Sequence, residues 1–256
     1  MDLGLNGKVA LVAAGTSGLG LAVATALAEE GATVSVAGRS TERLARAVES
    51  LEKAATGGGI SGHSLDVRDE QAVADWVEQA AARHGGVDIV VTNAGGPGPG
   101  HATAHPVQAY RDALELNLLS AVSLVSAAVP HMRRKGWGRV LFITSLSAKQ
   151  PIDGMALSNT VRPGLLGYAK SLVHELSRDG ITVNVLAPGM TRTPELEHWA
   201  EGLEGGIPGL TADIPVGRLA EPRELGAAAA FLAGTRSGFV TGTVLPVDGG
   251  ASRGLY

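Results

Sequence analysis

The chain repeats one pattern that few folds can accommodate: a short, almost wholly apolar run, a turn, then a segment with apolar residues at helical spacing. KVALVAA (8–14) leads into a helical stretch that reaches Glu30 and stops at Gly31, and TVSVA (33–37) into one with Leu44, Val48 and Leu51 on one face. HSLDV (63–67) leads into a third, carrying Val73, Trp76, Val77 and Ala80. DIVVTNA (88–94), RVLFITS (139–145), TVNVLA (182–187) and TVLPVD (243–248) raise the strand count to about seven. Strands that are apolar at nearly every position, rather than at alternate ones, keep no face for water. They belong in a parallel sheet covered by helices on both sides. No composition break, repeat or linker divides residues 1–256, so the expected fold is a single-domain, Rossmann-type, doubly wound α/β sheet.

Three connections are long. GGGISG (57–62) reads as a flexible loop, whereas GGPGPGHATAHP (95–106) and the stretch 190–215 follow strand ends. Ligands of open parallel sheets bind beyond the carboxyl ends of the strands, so the latter two, with 146–156, are the expected substrate walls. Trp199, Leu203, Ile207 and Leu210 within them suggest a lid and a small, mainly apolar substrate. A formal net charge of -4 with 18% charged residues gives no reason to expect nucleic acid or an anionic membrane as a partner. With no cysteine, disulfides, thiolate catalysis and Cys-ligated zinc are excluded. The amino terminus has no basic segment followed by an apolar stretch and cleavage site, and no apolar run approaches the ~20 residues of a membrane span, so a cytoplasmic protein is expected.

Between the first strand and its helix lies Gly15-Thr16-Ser17-Gly18-Leu19-Gly20. Such a turn lets backbone approach a pyrophosphate, and the helix amino terminus offers free N–H groups to it. The second strand ends Ala37-Gly38-Arg39, with Arg43 one helical turn on, where an acidic residue would otherwise hold a ribose 2′-hydroxyl. Arginine suits a 2′-phosphate, which favours NADP(H) over NAD(H).

The glycine turn, Asp66-Val67, Asn93-Ala94-Gly95, Asn117, Ser145, Pro188-Gly189 and Asp248-Gly249-Gly250 occur in the order and spacing of the short-chain dehydrogenase/reductase family. The chain resembles that family over essentially its whole length, and in particular the 3-oxoacyl-acyl-carrier-protein reductases. The resemblance implies a cofactor site of Gly15, Ser17, Gly18, Leu19, Gly20 and Arg39. Asp66 and Val67 would border the adenine, Asn93, Ala94 and Gly95 the cleft, and Pro188, Gly189 and Thr193 the nicotinamide end. It also implies Asn117 and Ser145 in catalysis, and a homotetramer or dimer built on the helix at 157–176.

Two departures accompany the likeness. The family places Tyr and Lys four apart on one helix face. Counting from Gly164-Leu165, and 13 residues on from Ser145, puts Ser158 and Arg162 at those positions, as in an atypical subgroup of reductase-like proteins. Tyr168 and Lys170, two apart, would point away from each other. A serine is a far weaker acid than a phenol and a ring shorter. Arg162 can hold a ribose and supply fixed charge but relays protons poorly. Pro163, inside the same helix, predicts a local kink. The second departure is Ala13-Ala14 where the family has Thr-Gly, which sets a methyl against the phosphate approach and disfavours positive φ.

The substitute acid is sought first at Lys149, then among Asp153, His101 and His105. His101 and His105 have a metal-like interval, but Pro and Gly around them argue against a helix, and Glu195 with His198 completes no ligand set, so no metal is expected. Arg133-Arg134-Lys135 is read as complementing a helix carboxyl terminus rather than as docking an acidic carrier. The leading expectation is an NADP(H)-dependent oxidoreductase of carbonyl or alcohol substrates. A non-redox dehydratase or cyclase, and a catalytically silent nucleotide-binding or partner-binding homologue, remain open on sequence alone.

Overall fold

In the computed structural model, which describes residues 1–203 and 205–255, seven strands pair in parallel in the order β3-β2-β1-β4-β5-β6-β7. They are β1 (Val9–Val12), β2 (Thr33–Gly38), β3 (Ile60–Ser64), β4 (Ile89–Thr92), β5 (Gly138–Ile143), β6 (Ile181–Pro188) and β7 (Val244–Val247). The helices are α1 (Gly18–Glu29), α2 (Thr41–Ala54), α3 (Glu70–His84), α4 (Val107–Leu114), α5 (Ser120–Lys135), α6 (Ala156–Leu176), α7 (Pro194–Glu201), α8 (Gly206–Thr211) and α9 (Pro222–Ala233). The expected single-domain doubly wound architecture is what forms.

The apolar runs divide residue by residue between two cores. From β1 and the residue that follows it, Leu11 and Ala13 face the core built with α3, α5 and α6, while Ala10 and Val12 face the one built with α1, α2 and α9. β5 does the same, with Val140 and Phe142 against Leu141 and Ile143. Period-2 alternation thus buries every residue because both faces are covered. Helix ends are set locally: Asp69 caps α3 by accepting from Ala72 N–H (3.0 Å), and Gly85 ends it at φ 77°. Asp88, buried just before β4, accepts from the Val9 backbone N–H (2.9 Å) and from Lys135 Nζ (2.8 Å to each oxygen), tying the start of β1 to the end of α5.

Two sequence readings need correction. The GGGISG stretch is not simply a loop, because β3 begins at Ile60. Gly62 is there for packing: a Cβ would lie 2.8 Å from Val48 Cγ2 and 3.0 Å from Leu44 Cδ1, so the edge strand can sit against α2 only without a side chain. The expectation that no apolar stretch approaches a membrane span in length also needs correction, at the helix containing Asn117. α4 and α5 join through a π turn, Glu115–Leu119, into one stretch from Val107 to Lys135. Over one 18-residue window its mean hydropathy reaches 1.5, so by length and composition it is apolar enough to cross a membrane; 44% of that window is buried inside the fold.

Trp76 is 1% exposed, and its indole N–H donates to buried Ser35 Oγ at 2.9 Å, linking α3 to β2. Trp76→Phe keeps most of the apolar area but strands the Ser35 hydroxyl. It is expected to lower unfolding stability by about 1–3 kcal/mol in a denaturant titration, with the slope unchanged.

Candidate active site

The sheet order reverses between β1 and β4, and a cleft of about 210 Å³ opens beyond their carboxyl ends. Ala14, Ser17, Gly18 and Leu19 form one wall, Asn93, Ala94 and Gly95 the other, with Thr193 and Arg162 completing it. Gly15 donates its N–H to the Ala37 carbonyl (3.1 Å), and Asn93 Nδ2 donates to the Ala14 carbonyl (3.3 Å), so the glycine turn is pinned to both neighbouring strands. A Cβ at Gly20 would meet that carbonyl and lie 2.6 Å from Asn93 Nδ2. Ser17 caps α1 without any side-chain hydrogen bond, leaving the first-turn N–H groups to the cleft. Ala14 adopts φ 46°, the one non-glycine residue with positive φ among those described, as its place in the turn predicts.

Farther along the strand ends, the Arg39 side chain is 67% exposed, with Nη1 3.9 Å from Asp66. Arg68 forks onto the same carboxylate (Nε 3.0 Å, Nη2 2.6 Å) and holds its pKa down at about 2. Val67 packs beside Trp76 and Ala13 under this edge. Gly15, Gly20, Arg39, Asp66 and Val67 do not line the cleft themselves.

A larger cavity of about 540 Å³ adjoins the cleft; Gly96 and Arg162 belong to both. Its lining carries three serine hydroxyls, two of them hydrogen-bonded to each other. Ser145 begins the turn after β5, and its Oγ accepts from the Ser147 backbone N–H at 3.1 Å. Ser147 Oγ and Ser158 Oγ share a hydrogen bond of 2.8 Å, and Arg162 Nε–H donates to Ser158 Oγ at 3.1 Å. Ser158 and Arg162 are thus neighbours on one face of α6, as their i, i+4 spacing requires. Arg162 is 8% exposed, and burial pushes its pKa down to about 10, so it remains a cation at neutral pH. α6 runs on as a helix through Pro163, whose ring lies on the exposed face. Ser147 was missed by sequence reading; its only signal was Ser145-x-Ser147 after an apolar strand.

The loops are stitched together across the cavity mouth. Gly100 N–H donates to the Gly154 carbonyl (2.6 Å), Ala156 N–H to the Gly100 carbonyl (3.2 Å), and the Asn159 side chain pairs with both backbone groups of Ile152 (2.9 and 2.8 Å). Pro188 and Gly189 line the cavity, as do Ile152, Met155, Met190, Leu210 and Ile214. Several candidates are placed elsewhere. Lys149 does not line the cavity although Gln150, Pro151 and Ile152 do; nor do Asp153, His101 or His105. Of the suggested lid residues only Leu210 reaches it, while Trp199, Leu203 and Ile207 do not. Asn117 is buried in the π turn, its Nδ2 donating to the Ala113 carbonyl (3.3 Å) and its Oδ1 without a partner, and it lines neither space. Arg133 pairs with Glu175 and Asp179, Lys135 with Asp88, so the basic run is occupied within the fold. No grouping of three or more metal-ligating side chains occurs among the described residues.

With this geometry in place, the likenesses are specific. The family profile described as enoyl-(acyl carrier protein) reductase matches residues 13–252. The 3-oxoacyl-[acyl-carrier-protein] reductase of Escherichia coli is 34% identical over 248 residues, covering 97% of this chain and 98% of that protein. L-Sorbose reductase of Gluconobacter frateurii, solved with NADPH and L-sorbose, superposes with a TM-score of 0.95 at 32% identity and covers all of both chains. Actinorhodin polyketide ketoreductase, solved with NADPH, gives 0.90 at 33% identity, covering 96% of this chain and 98% of that one.

The strain at Ala14 yields a direct test. A left-handed backbone costs an alanine about 1–2 kcal/mol, part of which glycine returns through its floppier unfolded state. Ala14→Gly is therefore expected to stabilise the protein by roughly 1 kcal/mol, read as a higher thermal midpoint.

Proposed function

The chain belongs to the short-chain dehydrogenase/reductase family, and on that premise we propose that it is an NADP(H)-dependent oxidoreductase of small carbonyl or alcohol substrates, with Ser158 and Arg162 standing where the family has tyrosine and lysine. The observation that carries this reading is the junction: a nucleotide-type cleft at the strand switch opens directly into a 540 Å³ cavity, and one buried cation, Arg162, borders both. A dehydratase or cyclase needs no such shared wall.

The cofactor fits the residues present. Free first-turn N–H groups at Ser17, Gly18 and Leu19 would hold the pyrophosphate, and exposed Arg39 the 2′-phosphate. Asp66 and Val67 would border the adenine, Asn93, Ala94 and Gly95 the middle of the cofactor, and Pro188, Gly189 and Thr193 its nicotinamide end. NADPH supplies the hydride when bound, so that carbonyl, NADPH and a proton become alcohol and NADP⁺.

This chain's own part is to hold the carbonyl and deliver the proton. Because Ser145 Oγ already accepts from Ser147 N–H, its own hydrogen is free for the carbonyl oxygen. Ser147 and Ser158 share one hydroxyl hydrogen bond, and Arg162 fixes Ser158 from the other side, so a water in the cavity oriented by these groups would give the proton to the reacting oxygen directly. The buried guanidinium stabilises the negative charge that develops there. The proton donor is then a positioned hydroxyl or water rather than an acidic side chain such as Lys149. Asn117, fixed in the π turn, would position the α6 face from behind. The segments 95–106, 146–156 and 190–215 would enclose a mainly apolar substrate body. Gly164 packing on Leu118, with Leu114 and Leu119 exposed alongside, supports a homo-oligomer formed through this side of the molecule.

Two outcomes test the reading. Stopped-flow mixing with a panel of ketones and acyl thioesters should show NADPH oxidation, and Ser145→Ala should lower kcat/KM by about 10²–10³-fold. Absence of oxidation with every substrate, cofactor being bound, would overturn it. In equilibrium fluorescence titration, Arg39→Ala should weaken NADPH by roughly 10–100-fold and leave NADH nearly unchanged.

A further inference from the structure

We propose that Arg68 sets the preference for the 2′-phosphorylated cofactor by acting through Asp66: forked onto that carboxylate, it keeps Asp66 from capturing Arg39, the cation that meets the 2′-phosphate. This rests on the assignment of the 2′-phosphate to Arg39 and names a positioning residue that the assignment requires.

The three side chains meet because of the sheet. β2 and β3 pair in parallel with Gly38 opposite Ser64, and Leu65 N–H donates to the Gly38 carbonyl at 3.2 Å, so Arg39 and Asp66 leave adjacent strand ends side by side. The chain then turns back. Asp69 N–H donates to the Asp66 carbonyl (3.0 Å) and Arg68 N–H to Asp66 Oδ1 (3.0 Å), just where Asp69 caps α3. That turn folds the Arg68 side chain onto the carboxylate two residues earlier. Its Nε donates to Oδ1 (3.0 Å) and Oδ2 (3.2 Å), and its Nη2 to Oδ2 (2.6 Å). Arg39 Nη1 stands 3.9 Å from the same Oδ2, inside ion-pairing range and beyond hydrogen-bonding range. Asp66 therefore has two guanidinium groups within reach and is bonded to one.

The effect of that choice follows from charge. The hydrogen bonds from Arg68 hold Asp66 well below the ordinary carboxylate range, at about 2, so it is an anion at neutral pH. A 2′-phosphate brings about 1.5–2 further negative charges. Arg39 alone against Asp66 would leave this edge with no net positive charge, and the carboxylate would hold the guanidinium that the phosphate needs. Asp112 and Glu115 also act on Arg68 through space, which makes the edge more acidic still. Arg68 supplies the second cation. Closing a contact two residues away through a hydrogen-bonded turn costs less entropy than recruiting the 67% exposed Arg39 side chain from another strand, so Arg39 is spared. A dinucleotide without the 2′-phosphate gains nothing from this arrangement, so the device acts on the ratio of NADPH to NADH affinity rather than on affinity in general.

Equilibrium fluorescence titration of the full chain with NADPH and NADH reads that ratio, and calorimetry with adenosine 2′,5′-bisphosphate against 5′-AMP reads it without the nicotinamide. Arg68→Ala should lower both ratios by roughly 3–10-fold. Asp66→Asn added to Arg68→Ala should bring them back to within about twofold of the parent, because the amide keeps the acceptor of the turn and releases Arg39. Both cofactors share the adenine, so whatever Asp66 does for the base cancels in the ratio. Equal weakening of NADPH and NADH in Arg68→Ala, the mark of a merely structural arginine, would overturn the proposal. So would a loss that Asp66→Asn fails to repair, because Arg68 would then meet the phosphate itself. If Arg68→Ala does not fold, Arg68→Gln carries the same comparison. Arg39→Ala separates the inference from its premise. A ratio unchanged there removes the assignment to Arg39, whereas a ratio lost there and kept in Arg68→Ala removes this inference alone.

Discussion

Seven parallel strands leave neither face of the sheet in water, and most of the molecule follows from that. Each strand must return by a crossover, the crossovers are the helices that cover the faces, and every strand therefore ends on the same side. Loops with no packing duty collect at that end. The glycine turn after β1, the Asn93–Gly95 segment after β4, Ser145 and Ser147 after β5 and Pro188-Gly189 at the end of β6 meet because of the sheet, although they span much of the sequence.

That dependence explains what could be read from the sequence. KVALVAA and RVLFITS announced buried strands because both faces demand apolar residues, and β1 and β5 lie within them. Asp69 and Gly85 marked the ends of α3 through local chemistry. β3 was misplaced toward HSLDV because, at an edge, burial is partial and a glycine that makes room for Leu44 and Val48 looks like one of a loop. The π turn was invisible, since Glu115–Leu119 reads as ordinary helix in the sequence.

The site was legible to the level of families of residues and no further. Ser17 to Leu19, Asn93 to Gly95 and Arg162 do converge, because motif order reflects strand order. Ser147 escaped, its role depending on a hydroxyl 11 residues later in the chain coming within 2.8 Å. Lys149 was a reasonable candidate by sequence distance, yet the turn that begins at Ser145 leaves it off the cavity while the next three residues reach it.

The long apolar helix from Val107 to Lys135 bears on how the chain is made as well as on how it ends. It leaves the ribosome with α3 and β4 already synthesised, while β5, α6 and β6, which complete the core it joins, are still to come. During that interval a surface with the hydropathy of a membrane span lacks the partners that β5, α6 and β6 will supply. An apolar surface uncovered in this way is prone to aggregate until the segment 136–188 closes over it.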